Sequence, residues 1–360
     1  MKLKKLDALI DEFVAMGVPS IDISVRLHGE EIYRRMEGYS DAAKTKPING
    51  RERYNVYSCS KPITVTAAMQ LWERGKLGLE DKLSDYLPEF SAMNVREGGE
   101  VRPAKREITI RDLFTMSAGL TYDLWSENLR AARSETGGRC PTREVMKYLA
   151  RDPLAFDPGE RYNYSLCHDV IAALVEVISG ERFGEYVKKN IFEPAGMENS
   201  TFLATEAERS ELAEQYSYDS AAKTYKPIGG GNGFCIGSEY ESGGAGCVTS
   251  VDDYMKFLEG WRTGLFLKPS TLEMMTKNQL DEKRIKYYPL TQYGYGYGLG
   301  LRCRLDGSES TDFGWGGAAG AYLACDLKHD FTLFHAQQVL NSPNQPMRNL
   351  IPGAVRADLQ

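Results

Sequence analysis

Tyr54-Asn55-Val56-Tyr57-Ser58-Cys59-Ser60-Lys61-Pro62-Ile63-Thr64-Val65-Thr66-Ala67-Ala68-Met69-Gln70-Leu71 is the stretch on which the reading of this chain turns. An aromatic and β-branched run ends at Ser58, and beyond it Val65, Ala68, Met69 and Leu71 recur at mostly three- and four-residue steps, the spacing of a helix that Ser58 opens. Side chains three apart share a helix face, so the Lys61 ammonium can fold back over the Ser58 hydroxyl. A serine becomes a nucleophile beside a base, and a desolvated lysine can be one. The helix start adds free N–H groups and a positive end. Pro62 is compatible with a first turn.

Ser-x-x-Lys alone carries little weight, because serine also favours a plain helix cap. The chain holds a second copy, Ser220-Ala221-Ala222-Lys223, inside the polar run Tyr216 to Tyr225. No apolar periodicity follows it, so it reads as a loop or hairpin.

A length of 360 residues with 42% hydrophobic content allows a large packed core in one large or two ordinary domains. A net charge of −6 and a pI near 5.5, with no basic patch, argue against nucleic acid as a partner. After Met1-Lys2-Leu3-Lys4-Lys5 the residues Asp7, Asp11 and Glu12 interrupt the apolar run, which makes Leu6 to Val14 an amphipathic helix and not an export signal. No run of eighteen apolar residues suggests a membrane span. Seven scattered cysteines without a C-x-x-C pair fit reduced thiols and a cytoplasmic setting. Cys59, beside Ser58, reads as a small buried residue of the first turn.

Upstream, Ile21 to Leu27 and Glu31 to Tyr39 form a hairpin about His28-Gly29-Glu30, with Asp22, Ser24 and Arg26 on a solvated face. Downstream, Asn94 to Arg106 is charged and loop-like, and Ile108 to about Ala207 is helical with Gly and Pro breaks. Strand signals resume near Gly231. Helices are expected from Val251 to Trp261, from Pro269 to about Asn278 and near Met347 to Ala357, with a close-packed hairpin at Tyr293 to Leu301 and strands at Tyr322 to Cys325 and Phe331 to His335. Strands, then helices, then strands describe an α+β chain whose helical insert interrupts one sheet and leaves a cleft at the junction.

Two further stretches can complete a site. Pro158 to Ile171 leads through a Pro-Gly turn to Tyr164 ahead of an apolar helix, and Asp312 to Tyr322 contains Trp315-Gly316-Gly317-Ala318, where glycines allow close backbone approach and free N–H groups. No Gly-x-Ser-x-Gly elbow is present. His28 and His329 fall in turns and His335 on a strand. His168, one turn from Tyr164, reads as a helix-surface histidine that could instead line the cleft. Without a histidine–carboxylate pattern, neither metal nor cofactor is expected.

Taken together, Ser58-x-x-Lys61, Tyr164-Ser165-Leu166 and Trp315-Gly316-Gly317 resemble the serine β-lactamase and penicillin-binding-protein superfamily, in particular class C-like enzymes and the family VIII carboxylesterases and transesterases related to them. The 106 positions from Ser58 to Tyr164 and 151 from Tyr164 to Trp315 suit that family, as do the phrases Ile108 to Leu120, Ile191 to Met197 and Gly243 to Ser250. The resemblance implies a mainly antiparallel sheet flanked by helices. It also implies one catalytic domain in two lobes, an α/β lobe of about 1–80 and 231–360 and a mainly helical lobe of about 81–230. It further implies an acyl-enzyme mechanism. Ser58 would attack, Lys61 and Tyr164 would handle protons, and the N–H groups of Ser58 and Ala318 would hold the oxyanion. Trp315, Gly316, Gly317 and Leu166 would border the substrate.

The departures from the pattern point to a substrate class. Where lactamases and peptidases carry Tyr-x-Asn, this chain has Leu166, and where they carry the lysine of Lys-Thr-Gly it has Trp315. Both polar handles for anionic peptides are replaced by apolar groups, as in esterases of the superfamily. A small-molecule esterase or acyl transferase is therefore the first expectation. A β-lactamase, D-alanyl-D-alanine carboxypeptidase or D-aminopeptidase-like enzyme is the second, and a catalytically idle binding or assembly protein the third.

Overall fold

The computed structural model describes residues 2–360. Its centre is a seven-stranded sheet in which N-terminal strands join C-terminal ones. The order is Glu30–Gly38, Ser20–Leu27, Phe331–Ala336, Tyr322–Asp326, Phe313–Gly316, Arg302–Arg304 and Tyr295–Tyr297, each neighbour antiparallel to the next. The β-branched and aromatic residues of these runs have the alternation a pleated sheet needs to bury both faces. On one face Ile21, Ile23, Val25, Leu333 and Ala324 pack with Leu6, Ile10 and Phe13 of the Lys4–Ala15 helix and with Ile351 and Val355 of the C-terminal Ile351–Leu359 helix. The Val251–Arg262 helix covers the other face, with Tyr254 stacked on Phe334 at 4.1 Å between ring centres. The chain is thus α+β, with a mainly antiparallel sheet flanked by helices.

That second covering layer overturns the solvated reading of Asp22 and Ser24, both fully buried. Arg34 reaches across the hairpin to Asp22 Oδ2 at 2.9 Å and also donates to Asp252 at the start of the covering helix. Burial pushes the Asp22 carboxyl up to about 7 against the pull of the Arg34 guanidinium. Alternation reports which residues share a face, not whether a helix later lands on it.

Ser58 lies in a 3₁₀ turn, Tyr57–Cys59, and the α-helix begins at Ser60 and runs to Glu73. Every residue from Ser60 to Leu71 is buried, so the apolar stripe seen in the sequence belongs to a helix enclosed on all sides. The buried Cys167–Ser179 helix packs against it. His168, expected on a helix surface or in the cleft, is instead fully enclosed because this helix is buried from Cys167 to Val175.

Other readings are refined. Asn94–Glu97 pairs with Glu100–Pro103, so the charged run read as a loop is a hairpin turning at two glycines of positive φ. No strand begins near Gly231; the next one is Val248–Ser250, which pairs with Arg53–Asn55 and holds the approach to Ser58. The second Ser-x-x-Lys is the exposed turn between Tyr216–Asp219 and Thr224–Pro227.

Candidate active site

The Ser58 turn is held on several sides. Val56 N–H bonds to Cys247 O at 3.1 Å, Ser60 Oγ donates to Tyr57 O and accepts from Cys247 N–H, and Tyr254 donates to Cys59 O at 2.6 Å. Tyr57 sits at φ +46°, a left-handed conformation that costs a non-glycine residue roughly 1 kcal/mol or more. Its phenol donates to Gln215 Oε1 at 2.6 Å, one of the contacts that hold it there. The Cys59 thiol, pushed up to about 12 by burial, is an inert packing group.

Lys61 Nζ, with no exposed surface, reaches Ser58 Oγ at 3.3 Å, Gly244 O at 2.8 Å and Tyr122 Oη at 3.5 Å. Tyr164 Oη donates to Ser58 Oγ at 2.5 Å, and Lys61 Nζ lies 4.5 Å from the centre of the Tyr164 ring. The tyrosine is positioned by the stretch before it in sequence: Asn163 N–H bonds to Met116 O and Leu166 N–H to Thr121 O, and Asn163 Nδ2 donates to Leu120 O at 2.8 Å. That explains why the Ile108 to Leu120 phrase accompanies the tyrosine motif. A capping box of Thr109 and Asp112 starts its helix, and Arg106 is paired to Asp112.

Across the cleft, the Phe313–Gly316 strand ends in a turn closed by Gly317 N–H to Ala321 O at 2.7 Å. A side chain at Gly317 would stand 2.3 Å from Val56 O, so only glycine lets this turn lie against the Ser58 segment. Arg348 donates to Gly317 O and Ala321 O and fixes the turn from behind. Among the described residues, neither the Ser58 nor the Ala318 N–H has a backbone acceptor. Ser58, Tyr164, Trp315, Gly316, Gly317 and Ala318 all border one cavity of about 740 Å³. Leu166 does not. It is buried at the start of the Cys167–Ser179 helix, and Asn163 reaches the cavity instead.

No motif or spacing marked two aromatic walls. Tyr122 stacks on Tyr164 with ring centres 5.5 Å apart, and Phe234 meets Tyr122 edge-on at 5.6 Å. Burial, aided by the neighbouring Tyr164, pushes the Tyr122 phenol well above its ordinary value, so it stays neutral beside Lys61. Trp315 stacks on Tyr164 from the other side at 5.9 Å. Among the described residues no carboxylate borders this cavity and no group of acidic, histidine and cysteine side chains could hold a metal.

An antiparallel sheet enclosed by helices, with a serine, a lysine and a tyrosine meeting beside a glycine-relieved turn, defines the serine acyl-transfer class. The chain belongs to the beta-lactamase family, whose model matches residues 6–348. It is similar to the esterase EstB of Burkholderia gladioli, 29% identical over 289 residues that cover 74% of this chain and 72% of that one. The solved structure of EstCE1, a hydrolase with promiscuous acyltransferase activity, superposes with a TM-score of 0.79 at 26% identity over 98% of this chain and 97% of that one. A mutant of simvastatin synthase from Aspergillus terreus shares the fold, with a TM-score of 0.81 at 23% identity, covering 100% and 97%. No helix of the described residues is long and apolar enough to cross a membrane.

Proposed function

We propose that this chain is a carboxylesterase of small-molecule esters that works through an acyl-enzyme on Ser58. The observation that carries the reading is the meeting of Ser58 Oγ with Tyr164 Oη at 2.5 Å and Lys61 Nζ at 3.3 Å in an aromatic cavity. As Ser58 Oγ bonds the ester carbonyl carbon, its proton passes to Tyr164, which acts as the base in its phenolate form, the phenol proton having left beforehand, beside the Lys61 ammonium. The oxygen that becomes negative lies between the N–H groups of Ser58 and Ala318. When the C–O bond breaks, Tyr164 returns the proton to the departing alkoxide, and water then repeats the sequence on the acyl-enzyme. The walls of Tyr122, Phe234 and Trp315 suit an apolar acyl or alcohol group, and the cavity is of the size that holds a small ligand. Trp315, in place of an ammonium, favours esters over β-lactams and peptides, whereas Leu166 is buried away from the cavity. Transfer to a second alcohol is the companion activity that the likeness to EstCE1 supports.

The same reading takes the chain as one catalytic unit in two lobes, acting in the cytoplasm, without nucleic acid and without a cofactor. It is tested by intact-mass measurement after exposure to a fluorophosphonate, on wild type and Ser58→Ala, with p-nitrophenyl ester and nitrocefin rates alongside. One adduct at Ser58 and faster ester turnover support it. Faster nitrocefin turnover would point to a lactamase, and neither adduct nor turnover to a binding protein.

A further inference from the structure

Close enough to Lys61 to feel its charge, and outside the lining of the cavity, lies a carboxylate that the reaction as described does not use. Asp169 is fully buried on the Cys167–Ser179 helix. Its Oδ1 accepts from Ser242 Oγ at 2.6 Å and from Tyr240 Oη at 3.1 Å. Ser242 Oγ in turn accepts from Ala245 N–H at 3.0 Å, so its own proton is directed at Asp169. Both side-chain neighbours therefore donate, and Oδ2 faces no acceptor among the described residues. A neutral carboxylic acid would need an acceptor for its own proton; this setting is built for the anion.

The carboxylate acts on Lys61 across a single residue. Oδ2 would stand 2.4 Å from a side-chain carbon at Gly244, so glycine alone lets it come this close, and the Gly244 carbonyl is the acceptor 2.8 Å from Lys61 Nζ. Lys61 cannot draw on bulk water, since it too is buried.

We propose that Asp169 is a positioning residue that holds Lys61 as a fixed ammonium through Gly244, so that Tyr164 and not Lys61 carries the Ser58 proton. The proposal rests on the esterase reading and deepens it. A buried ammonium needs a counter-charge to persist, and Asp169 is the anion close to it. Apart from Tyr164 in its phenolate form, the other titratable groups around the pair supply none. Tyr122 and Tyr240 are held neutral by burial, as is the Cys235 thiol. His168, enclosed with both ring nitrogens unpartnered and repelled by Lys61, stays uncharged, and Cys59 and Cys167 are buried thiols. Burial pushes the Asp169 carboxyl above the ordinary carboxylate range, and the Ser242 hydroxyl, the Lys61 charge and the Tyr240 hydroxyl offset only part of that rise.

The test is the pH profile of kcat/KM for p-nitrophenyl butyrate in wild type and Asp169→Asn, with the fluorophosphonate adduct at Ser58 as a control. Asparagine keeps the shape and the acceptor for Ser242 but removes the charge. If Lys61 must stay charged and Tyr164 must be the phenolate, losing the anion makes the ammonium easier to deprotonate and the phenolate easier to form. Both limbs then move to lower pH by about one unit. A profile reduced in height but unmoved would assign Asp169 a structural role only and overturn the proposal. Movement of one limb alone would show that Asp169 does not act on the Lys61–Tyr164 pair as a unit and would overturn it too. Should Asp169→Asn fail to fold, Ser242→Ala, which takes one donor from the carboxylate and so favours its neutral form, is expected to move both limbs the same way by less, and no movement there, or movement to higher pH, overturns the proposal. A wild type with neither adduct nor turnover would instead sink the esterase reading.

Discussion

Tyr164 Oη stands 2.5 Å from Ser58 Oγ, closer than Lys61 Nζ at 3.3 Å, so the phenol and not the lysine holds the shorter contact to the Ser58 hydroxyl. Tyr164→Phe keeps the ring stack on Trp315 and Tyr122 and removes only the oxygen. We expect kcat for p-nitrophenyl butyrate to fall by about 10² to 10⁴ with KM little changed. On the proposed mechanism Lys61 and Tyr164 act as a unit, and the double variant with Lys61→Met should then cost little more than either change alone. Steady-state kinetics on the four proteins checks this, and losses that multiply would show that the two groups act separately.

Trp315 is 8% exposed, wedged between Tyr164 at 5.9 Å and Tyr297 at 5.3 Å. Trp315→Ala enlarges the cavity beside the attacked carbonyl and frees one face of Tyr164. Preference for longer acyl chains, measured as the ratio of kcat/KM for p-nitrophenyl octanoate to acetate, should rise by roughly tenfold. The removed ring should also lower stability by about 3–5 kcal/mol in urea unfolding. An unchanged chain-length ratio would mean that the acyl group lies elsewhere in the cavity.

Much of this arrangement was legible in the sequence because it is local. The Ser58-to-Leu71 run, the outer hairpin and the two C-terminal strands depend on periodicity within a dozen residues, and the family motifs carry their separations with them. What depends on distant partners was not legible. Asp22 looked solvated because the helix that buries it begins 229 positions later, at Val251. His168 looked like a surface residue because periodicity cannot tell a one-sided helix from one enclosed all round. Tyr122 and Phe234 lie in irregular segments whose shape is set by bonds to other chain regions, so no spacing marked them. Asp169 was visible as a residue, but its place close to Lys61 depends on Gly244, far along the chain.

Asp312 binds the far end of the sheet together. Fully buried, it accepts from Arg302 Nη2 at 2.5 Å, Arg356 Nη1 at 2.6 Å and Tyr295 Oη at 2.9 Å. Asp312→Ala would leave Arg302, itself buried, without its counter-charge, one residue from the strand that carries Trp315. A loss of about 3–5 kcal/mol is expected in urea unfolding, with a lowered Tm. A change below about 1 kcal/mol, the range of an exposed pair, would show that the two arginines find other partners.

Acid should destabilise the fold through its buried histidines. His335 is fully enclosed on the Phe331–Ala336 strand, with Nδ1 bonded to Gly320 O at 3.1 Å and Nε2 without a partner among the described residues. Burial, and then the charge of Arg348, push it down to about 3, and His168 is pushed well below its ordinary value by burial and by Lys61. In the unfolded chain each would take a proton below about pH 6.5. Between that pH and the lowered folded value the unfolded state binds protons that the folded state refuses. Stability therefore falls as pH falls, by about 1.4 kcal/mol per pH unit for each histidine, and the loss is absent above about pH 7. His335→Gln removes one titrating group while retaining an amide donor for Gly320 O. Unfolding free energies of wild type and variant, measured in urea at pH 7.5, 6.5, 5.5 and 4.5, should run parallel above pH 6.5 and converge or cross below it, because carboxylates affect both proteins alike and cancel in the difference. A constant difference down to pH 4.5 would mean that His335 accepts a proton inside the fold.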